Sequence, residues 1–344
     1  MIKLPKLADF GFKGKKVLVR ADLDAPLLRQ DFGGQALIED DARIKESLPT
    51  IKYLLERGAS VILMGHLGRP EGKVVEELRM LPVAQDLSSK FKVQSSKLQC
   101  KVQNFDAYKI TENLILLENL RFYPGEENND SGFAKELASL GDFYVNEAFA
   151  TSHRAHASIV GVPKLLPHTA GLHFAREVEN LSKIIENSQR PLVVIIGGTK
   201  AETKLPMLEE FTKKADWVLV GGTLAKGNIE EKPQNVLSAN LTNDGFDINE
   251  ESIEKFSGII KAAGTIVWNG PMGKYEDEKW EAGTREIAQA ITDSSAFKVV
   301  GGGDTIAALT KFGLLDKMDY ISTGGGAMLE FLAKGTLPGI DALK

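Results

Sequence analysis

One pattern recurs from end to end of this chain and narrows its fold more than any other. A short apolar run, too brief for a helix, empties into a loop rich in glycine or charge. Such runs fall at 16–20, 60–64, 115–117 and 143–145, and again at 191–196, 217–220, 265–268, 298–300 and 320–321. Helical spacing lies between several of them. Ile44, Leu48, Ile51 and Leu55 make an apolar face that stops at Gly58, and Trp280, Ile287, Ala288 and Ile291 make another. Buried strands alternating with amphipathic helices predict an α/β fold on mostly parallel sheets. Ligands of such sheets sit beyond the carboxyl ends of the strands, where the polar loops fall.

The stretch 170–189 divides the pattern. Leu172, Val178, Leu181, Ile184 and Ile185 recur there at helical spacing with charge opposite, so it reads as a connecting helix. Before it lie most of the histidines and a scatter of arginines beside turns. After it come doubled or tripled glycines at 197–198, 221–222, 301–303 and 324–326. With 344 residues there is length for two domains, each with its own core. A basic half and a glycine-rich half suggest two anionic ligands held by two lobes. The net charge of −5 argues against general nucleic-acid binding but leaves room for a local basic cleft. Cys100 is the single cysteine, which excludes a disulfide framework and a thiolate metal site. With no signal-type core and no membrane-length apolar run, the expectation is a cytoplasmic protein without membrane partners.

A glycine-rich strand-to-helix turn lets backbone N–H groups converge on an anion, although a tight turn needs glycine anyway. Several turns in one half, with Lys200 and Lys204 beside the first, point to phosphate. Neither familiar nucleotide motif occurs. Each Gly-Lys pair that could end a P-loop (Gly14, Gly72 and Gly273) is followed by Lys, Val or Tyr, and no Gly-x-Gly-x-x-Gly is present. Asp304, after three glycines, reads either as a helix N-cap or as the lone carboxylate that a magnesium ion asks for. Glu276 is either a solvated loop charge or an acceptor for ribose hydroxyls. In the first half, Arg43, Arg69, Arg121 and Arg154, with His66 and His156, suit a small polyanion, whereas any one alone would be an ordinary surface charge. His153, His168 and His173 read as structural hydrogen-bonders.

Taken together these stretches closely resemble phosphoglycerate kinases. The matching segments are VLVRADLDAPL from Val17, DDARIKESLPTI from Asp40, GHLGRP from Gly65, LLENLRFYPGEE from Leu116 and YVNEAFATSHRAHAS from Tyr144. They continue with GGTKAETK from Gly197, VWNGPMG from Val267, VVGGGDT from Val299 and STGGGAMLEFL from Ser322. The resemblance implies two Rossmann-like three-layer α/β/α lobes joined by an interdomain helix. It places a phosphoglycerate domain at 1–172, with the tail 331–344 returning to it, and a nucleotide domain at 173–330 that includes the helix 173–189. It implies a monomer that transfers the acyl phosphate of 1,3-bisphosphoglycerate to ADP, giving 3-phosphoglycerate and ATP, with Mg²⁺ and hinge closure. By position, Asp22, Asp24, Arg43, His66, Arg69, Arg121 and Arg154 would hold the phosphoglycerate. Arg43, Lys200, Gly302 and Gly325 would face the transferring phosphoryl group. Lys200, Lys204, Gly222, Asn269, Glu276, Gly303, Asp304 and Thr305 would bind the nucleotide, with Asp304 on the metal.

The departures from the family pattern are specific. Asp24 replaces an asparagine; a carboxylate accepts from a substrate hydroxyl but cannot donate to its carboxylate, and it adds repulsion. Glu147 replaces an aspartate, Ala150 and Thr223 replace glycines, and Lys274 replaces a valine of the adenine pocket. The segment 226–266 is much shorter than in the family, as if a helix and a strand on the adenine side were missing. The alternative expectation is thus a non-catalytic homologue that keeps the phosphoglycerate site but holds nucleotide poorly.

Overall fold

The computed structural model describes residues 2–28, 37–93, 98–199, 201–227 and 233–344. The chain divides into two compact units: Ile2–Glu179 with Leu337–Lys344, and Asn180–Thr336. The expected mixed α/β class with mostly parallel sheets is what both units show. The dividing point falls inside one helix.

The first unit is built on β1 (Lys16–Arg20), β2 (Ser60–Met64), β3 (Gln99–Val102), β4 (Phe105–Thr111), β5 (Leu114–Leu117), β6 (Phe143–Asn146) and β7 (His168–Ala170), in the order β3-β4-β5-β2-β1-β6-β7. The four pairings from β5 to β7 are parallel, whereas β3 and β4 form an antiparallel edge. That edge was not foreseen. β3 alternates exposed and half-buried residues, too weak an apolar signal to read as a strand. Arg20 is level with Met64 on one side and Asn146 on the other, so the loops after β1, β2 and β6 leave the sheet at one edge. Helices α1 (Ala42–Glu56) and α2 (Leu81–Lys90) close one face, with Ile44, Ile51, Leu54, Val83 and Leu87 fully buried against Val17, Val19, Val61 and Leu63. The short C-terminal helix Pro338–Asp341 lies in this unit, where Gly339 N–H donates to the Ser152 carbonyl at 2.9 Å. A side chain at Gly339 would strike the Ser152 side chain at 2.4 Å.

α3 (Ser131–Ala138) precedes β6, and α4 (Leu172–Asn187) is the connecting helix. Val178, Leu181 and Ile184 are buried as its spacing predicts. Leu172 is a correction, because it is 42% exposed. It opens the helix, and there the backbone N–H bonded to Thr50 Oγ1 (2.8 Å) fixes the position instead of the side chain.

The second unit carries β8 (Leu192–Ile196), β9 (Trp217–Val220), β10 (Val236–Ser238), β11 (Thr265–Asn269), β12 (Phe297–Gly301) and β13 (Tyr320–Ser322), all parallel in the order β10-β9-β8-β11-β12-β13. Its helices are α5 (Ala201–Lys214), α6 (Glu250–Lys261), α7 (Ala282–Asp293), α8 (Gly303–Lys311) and α9 (Gly326–Lys334). Trp268, Phe256, Ile260, Ile287 and Ile291 fill one core. Trp280 precedes α7 instead of opening it, and lies tilted against exposed Phe246 with ring centres 4.7 Å apart and planes at 42°. No described helix is long and apolar enough to cross a membrane.

Candidate active site

In the first unit, the loops that leave the carboxyl edge of the sheet bring most of the predicted cations into one neighbourhood. His66 follows β2 directly and is buried. Arg43, in the first turn of α1, donates through Nη1 to the Asp24 carbonyl at 3.0 Å. The Asp24 carboxylate accepts from Gly68 N–H (2.9 Å) through Oδ1. Its Oδ2 is 3.9 Å from both Arg43 Nη1 and His66 Nε2. Arg121 reaches the same loop, its Nη1 donating to the Gly68 carbonyl at 2.7 Å. Arg69 and Arg154 are exposed. Asp22 is otherwise engaged: it is buried and accepts from Ala150 N–H (2.6 Å) and the Thr151 hydroxyl (2.5 Å), so it anchors the loop that leads to Arg154.

Sequence reasoning missed the layer beneath. Arg20, the last residue of β1, is fully buried. It donates from Nε to Ser158 Oγ (2.9 Å), from Nη1 to the Ala21 carbonyl, and from Nη2 to His66 Nδ1 (2.9 Å). A guanidinium only donates, so Nδ1 of His66 accepts and the ring proton of the neutral form sits on Nε2. Burial, with Arg20 and Arg121 nearby, holds the His66 pKa well below the ordinary histidine value. His156 is depressed to about 3 for the same reasons, burial first and then the arginines. Both are neutral donors at neutral pH rather than cations. Fully buried Glu126 accepts from Ser158 N–H (2.9 Å) and Ser158 Oγ (2.6 Å), giving Arg20 a counter-charge through one hydroxyl. Asn119 ties the loops together, donating to the carbonyls of Leu67 (2.8 Å) and Leu78 (2.9 Å) and accepting from Arg121 N–H (3.1 Å). For Arg20 and Asn119 the only sequence signal is polarity at the end of an apolar strand, which marks a loop without showing that its side chains turn inward; Glu126 and Ser158 lie well beyond any strand end and carry no such signal.

Glu147 is likewise fully buried. It accepts from Thr50 Oγ1 (2.6 Å) and from the N–H groups of His173 and Phe174 (both 3.1 Å) at the start of α4. Burial pushes its pKa up to about 8 against the pull of these donors. A side chain at Gly171 would meet its carboxylate at 2.0 Å.

In the second unit the glycine turns pack on one another at the carboxyl edge. Gly197 N–H donates to Asn269 O (2.9 Å), Gly198 N–H to Pro271 O (2.7 Å) and Gly222 N–H to Met272 O (3.0 Å). Gly270 has φ +95°, and a Cβ there would lie 2.2 Å from the Gly197 oxygen. Lys204 donates through Nζ to Gly197 O at 2.6 Å, beside this cluster. Asn269 donates to Gly301 O (2.7 Å) and Thr305 Oγ1 accepts from Gly270 N–H (2.7 Å), so both side chains brace the turns. Thr223 adds a bond to Gly198 O at 3.0 Å. Gly302 (φ +99°) is the N-cap of α8, which removes the N-cap reading of Asp304. Asp304 sits in the first turn, exposed, next to Gly303, where an added side chain would meet nothing within 4 Å. Gly325 (φ +40°) caps α9 with its Cβ direction 3.1 Å from the Gly302 Cα. Glu276 is exposed. Lys200 lies outside the described residues.

The donor set suits magnesium of the kind that rides on a nucleotide. Among the described residues no cluster of three or more His, Cys, Asp or Glu is arranged for a metal ion. Asp304 is instead a single exposed carboxylate beside open space over a helix N-terminus. Mg²⁺ is held in this way when phosphates and waters complete its shell.

Fold and loop chemistry define the class: a two-unit parallel α/β protein with cationic loops on one sheet edge and braced glycine turns on the other. Comparison with known proteins gives the family. The sequence model of phosphoglycerate kinase matches residues 7–244 and 225–335, and the chain belongs to the phosphoglycerate kinase family. It is 41% identical to the phosphoglycerate kinase of Herpetosiphon aurantiacus and 40% identical to that of Moorella thermoacetica, each match covering 98% of both chains. Among solved structures it resembles phosphoglycerate kinase from Coxiella burnetii (TM-score 0.77, 36% identity, 99% of both chains). It also resembles that from Pyrococcus horikoshii OT3 (TM-score 0.79, 32% identity, 98% of both chains). The Herpetosiphon alignment spans 393 positions although this chain has 344 residues, so the relative carries residues missing here. The family match breaks within 225–244, inside the stretch that reads as shortened.

Proposed function

We propose that this chain catalyses the reversible transfer of the acyl phosphate of 1,3-bisphosphoglycerate to Mg-ADP, giving 3-phosphoglycerate and ATP, as a cytoplasmic monomer of glycolysis. Family membership over the full length supports the reaction. The observation that carries the site assignment is the cluster of Arg43, His66 and Arg121 around one loop edge, with Arg69 and Arg154 exposed beside it. In this reading the unit Ile2–Glu179 binds the phosphoglycerate and the unit Asn180–Thr336 binds the nucleotide.

Phosphoryl transfer asks the protein for positioning and charge neutralisation, not for a covalent intermediate. Arg69, Arg121 and Arg154 hold the remote phosphate and carboxylate, with His66 donating from Nε2. Arg43 neutralises the transferring group from the phosphoglycerate side. Lys200 and Lys204 do so from the nucleotide side, together with backbone N–H groups at Gly302–Gly303 and Gly325. Gly222, Asn269 and Thr305 shape the phosphate turns, Glu276 accepts from the ribose, and Asp304 is the protein ligand of Mg²⁺. When bound, the metal neutralises nucleotide phosphate charge. Asp22 holds the 150–151 loop, and through it Arg154, in place.

A coupled assay with 1,3-bisphosphoglycerate and millimolar Mg-ADP tests the proposal. Turnover is expected, and its absence would favour the non-catalytic homologue. Light scattering of the purified chain tests the monomer.

A further inference from the structure

A carboxylate sits inside the cluster of positive groups that is assigned to an anionic substrate. Asp24 is 38% exposed on its side chain, so the space an incoming anion would enter is in contact with it. Its two oxygens differ. Oδ1 is fixed by Gly68 N–H at 2.9 Å. Oδ2 lies 3.9 Å from Arg43 Nη1 and 3.9 Å from His66 Nε2, too far for a hydrogen bond to either, yet close enough to attract the Arg43 guanidinium and the N–H dipole of neutral His66. The ring proton of His66 is on that same Nε2, because Nδ1 accepts from Arg20. Two donors useful to a bound carboxylate or phosphate therefore already face a negative oxygen without being saturated by it.

We propose that Asp24 sets the affinity of the anion site, acting as an internal competitor that lowers the positive potential around Arg43, faces the neutral N–H donor of His66 and so weakens phosphoglycerate binding. This rests on the substrate assignment made above and goes beyond it, because Asp24 here opposes the ligand instead of holding it. The charge does this work, not the shape. Asp24→Asn keeps an oxygen for Gly68 N–H and so keeps the loop, while it removes the repulsion.

The test is steady-state kinetics of the full chain and of Asp24→Asn, with Asp24→Ala as a second variant that also loses the Gly68 bond. In Asp24→Asn the KM for 3-phosphoglycerate should fall on the order of tenfold, with kcat moving much less. The gap should narrow as ionic strength rises, because part of the site is solvent-exposed and screened. Inorganic sulfate, titrated by calorimetry without nucleotide, should bind Asp24→Asn more tightly than the parent chain. An unchanged or higher KM, together with unchanged sulfate affinity, would overturn the inference. The sulfate titration keeps the two ideas separable, since it reads the site even if the parent chain shows no turnover and the kinase assignment fails.

Discussion

At the scale of single residues, the decisive quantity is whether a charge is solvated or enclosed. Arg43 keeps a partly exposed guanidinium with one N–H bonded to the Asp24 carbonyl, which leaves donors for a reacting group. Arg43→Ala should lower kcat about a hundredfold or more while KM changes far less, as for loss of one transition-state donor; a kcat equal to the parent's would remove Arg43 from the chemistry. His156 works through the opposite state, enclosed and neutral. Its folded pKa of about 3 lies below the ordinary 6.5, so under pH 6.5 the unfolded chain takes up a proton that the folded chain refuses. The stability it contributes is complete above pH 6.5 and is lost as pH falls toward 3, at up to about 1.4 kcal/mol per pH unit. His156→Gln should therefore show a shallower decline in urea stability from pH 7 to pH 5; parallel declines would mean the ring is accessible to protons when folded. The role of Arg20 was not legible in sequence. At the end of a strand an arginine looks like any loop-entry charge, and only the approach of Ser158 and His66 from other segments shows that it is enclosed.

At the scale of elements, the glycine turns show two distinct reasons for glycine. Gly270 is forced by crowding and by its positive φ, with no room for a Cβ between β8 and β11. Gly303 has an ordinary backbone and open space around it. Gly270→Ala should destabilise the fold by about 3 kcal/mol or more. Gly303→Ala should leave thermal stability within about 0.5 kcal/mol yet raise the KM for ADP, because the space it fills is assigned to phosphate. If Gly303→Ala behaves as the parent in both respects, that space is not the nucleotide's. α4 illustrates a different element-scale device. Its first N–H groups end on a buried carboxylate, Glu147, which also takes the Thr50 hydroxyl of α1. One side chain thus registers β6, α1 and α4, a convergence that no local sequence pattern encodes.

At the scale of the whole molecule, each unit has its own core and its own sheet, and the economy of the chain falls on the second. Between β9 and α6 the second unit has one described strand, β10, and an exposed Phe246 whose ring meets that of half-buried Trp280. Lys274 lies 4.8 Å from the Trp280 ring centre and 3.9 Å from Asp277. In the proposed reading the phosphates are held by backbone turns outside the shortened stretch, whereas the base would be read by side chains within it. ADP and GDP should therefore support turnover with kcat/KM values within about tenfold. A preference for ADP of a thousandfold would show that the shortened lobe still reads the base.

The alternation of buried runs and amphipathic helices determined the α/β class by itself, and strands at 16–20, 60–64 and 217–220 could be read to the residue, because burial on both faces leaves an unbroken apolar signature. The antiparallel edge β3–β4 escaped, since a strand that needs only one apolar face writes a faint pattern. For the site, the chain supplied the cast of arginines, glycines and Asp304, but not their states. That Asp22 is occupied by a loop, that His66 is neutral with its proton on Nε2, and that Asp24 stands among the cations were decided only when distant segments met. Charge state and hydrogen-bond partner are set by neighbours in space, and the sequence orders neighbours only along the chain.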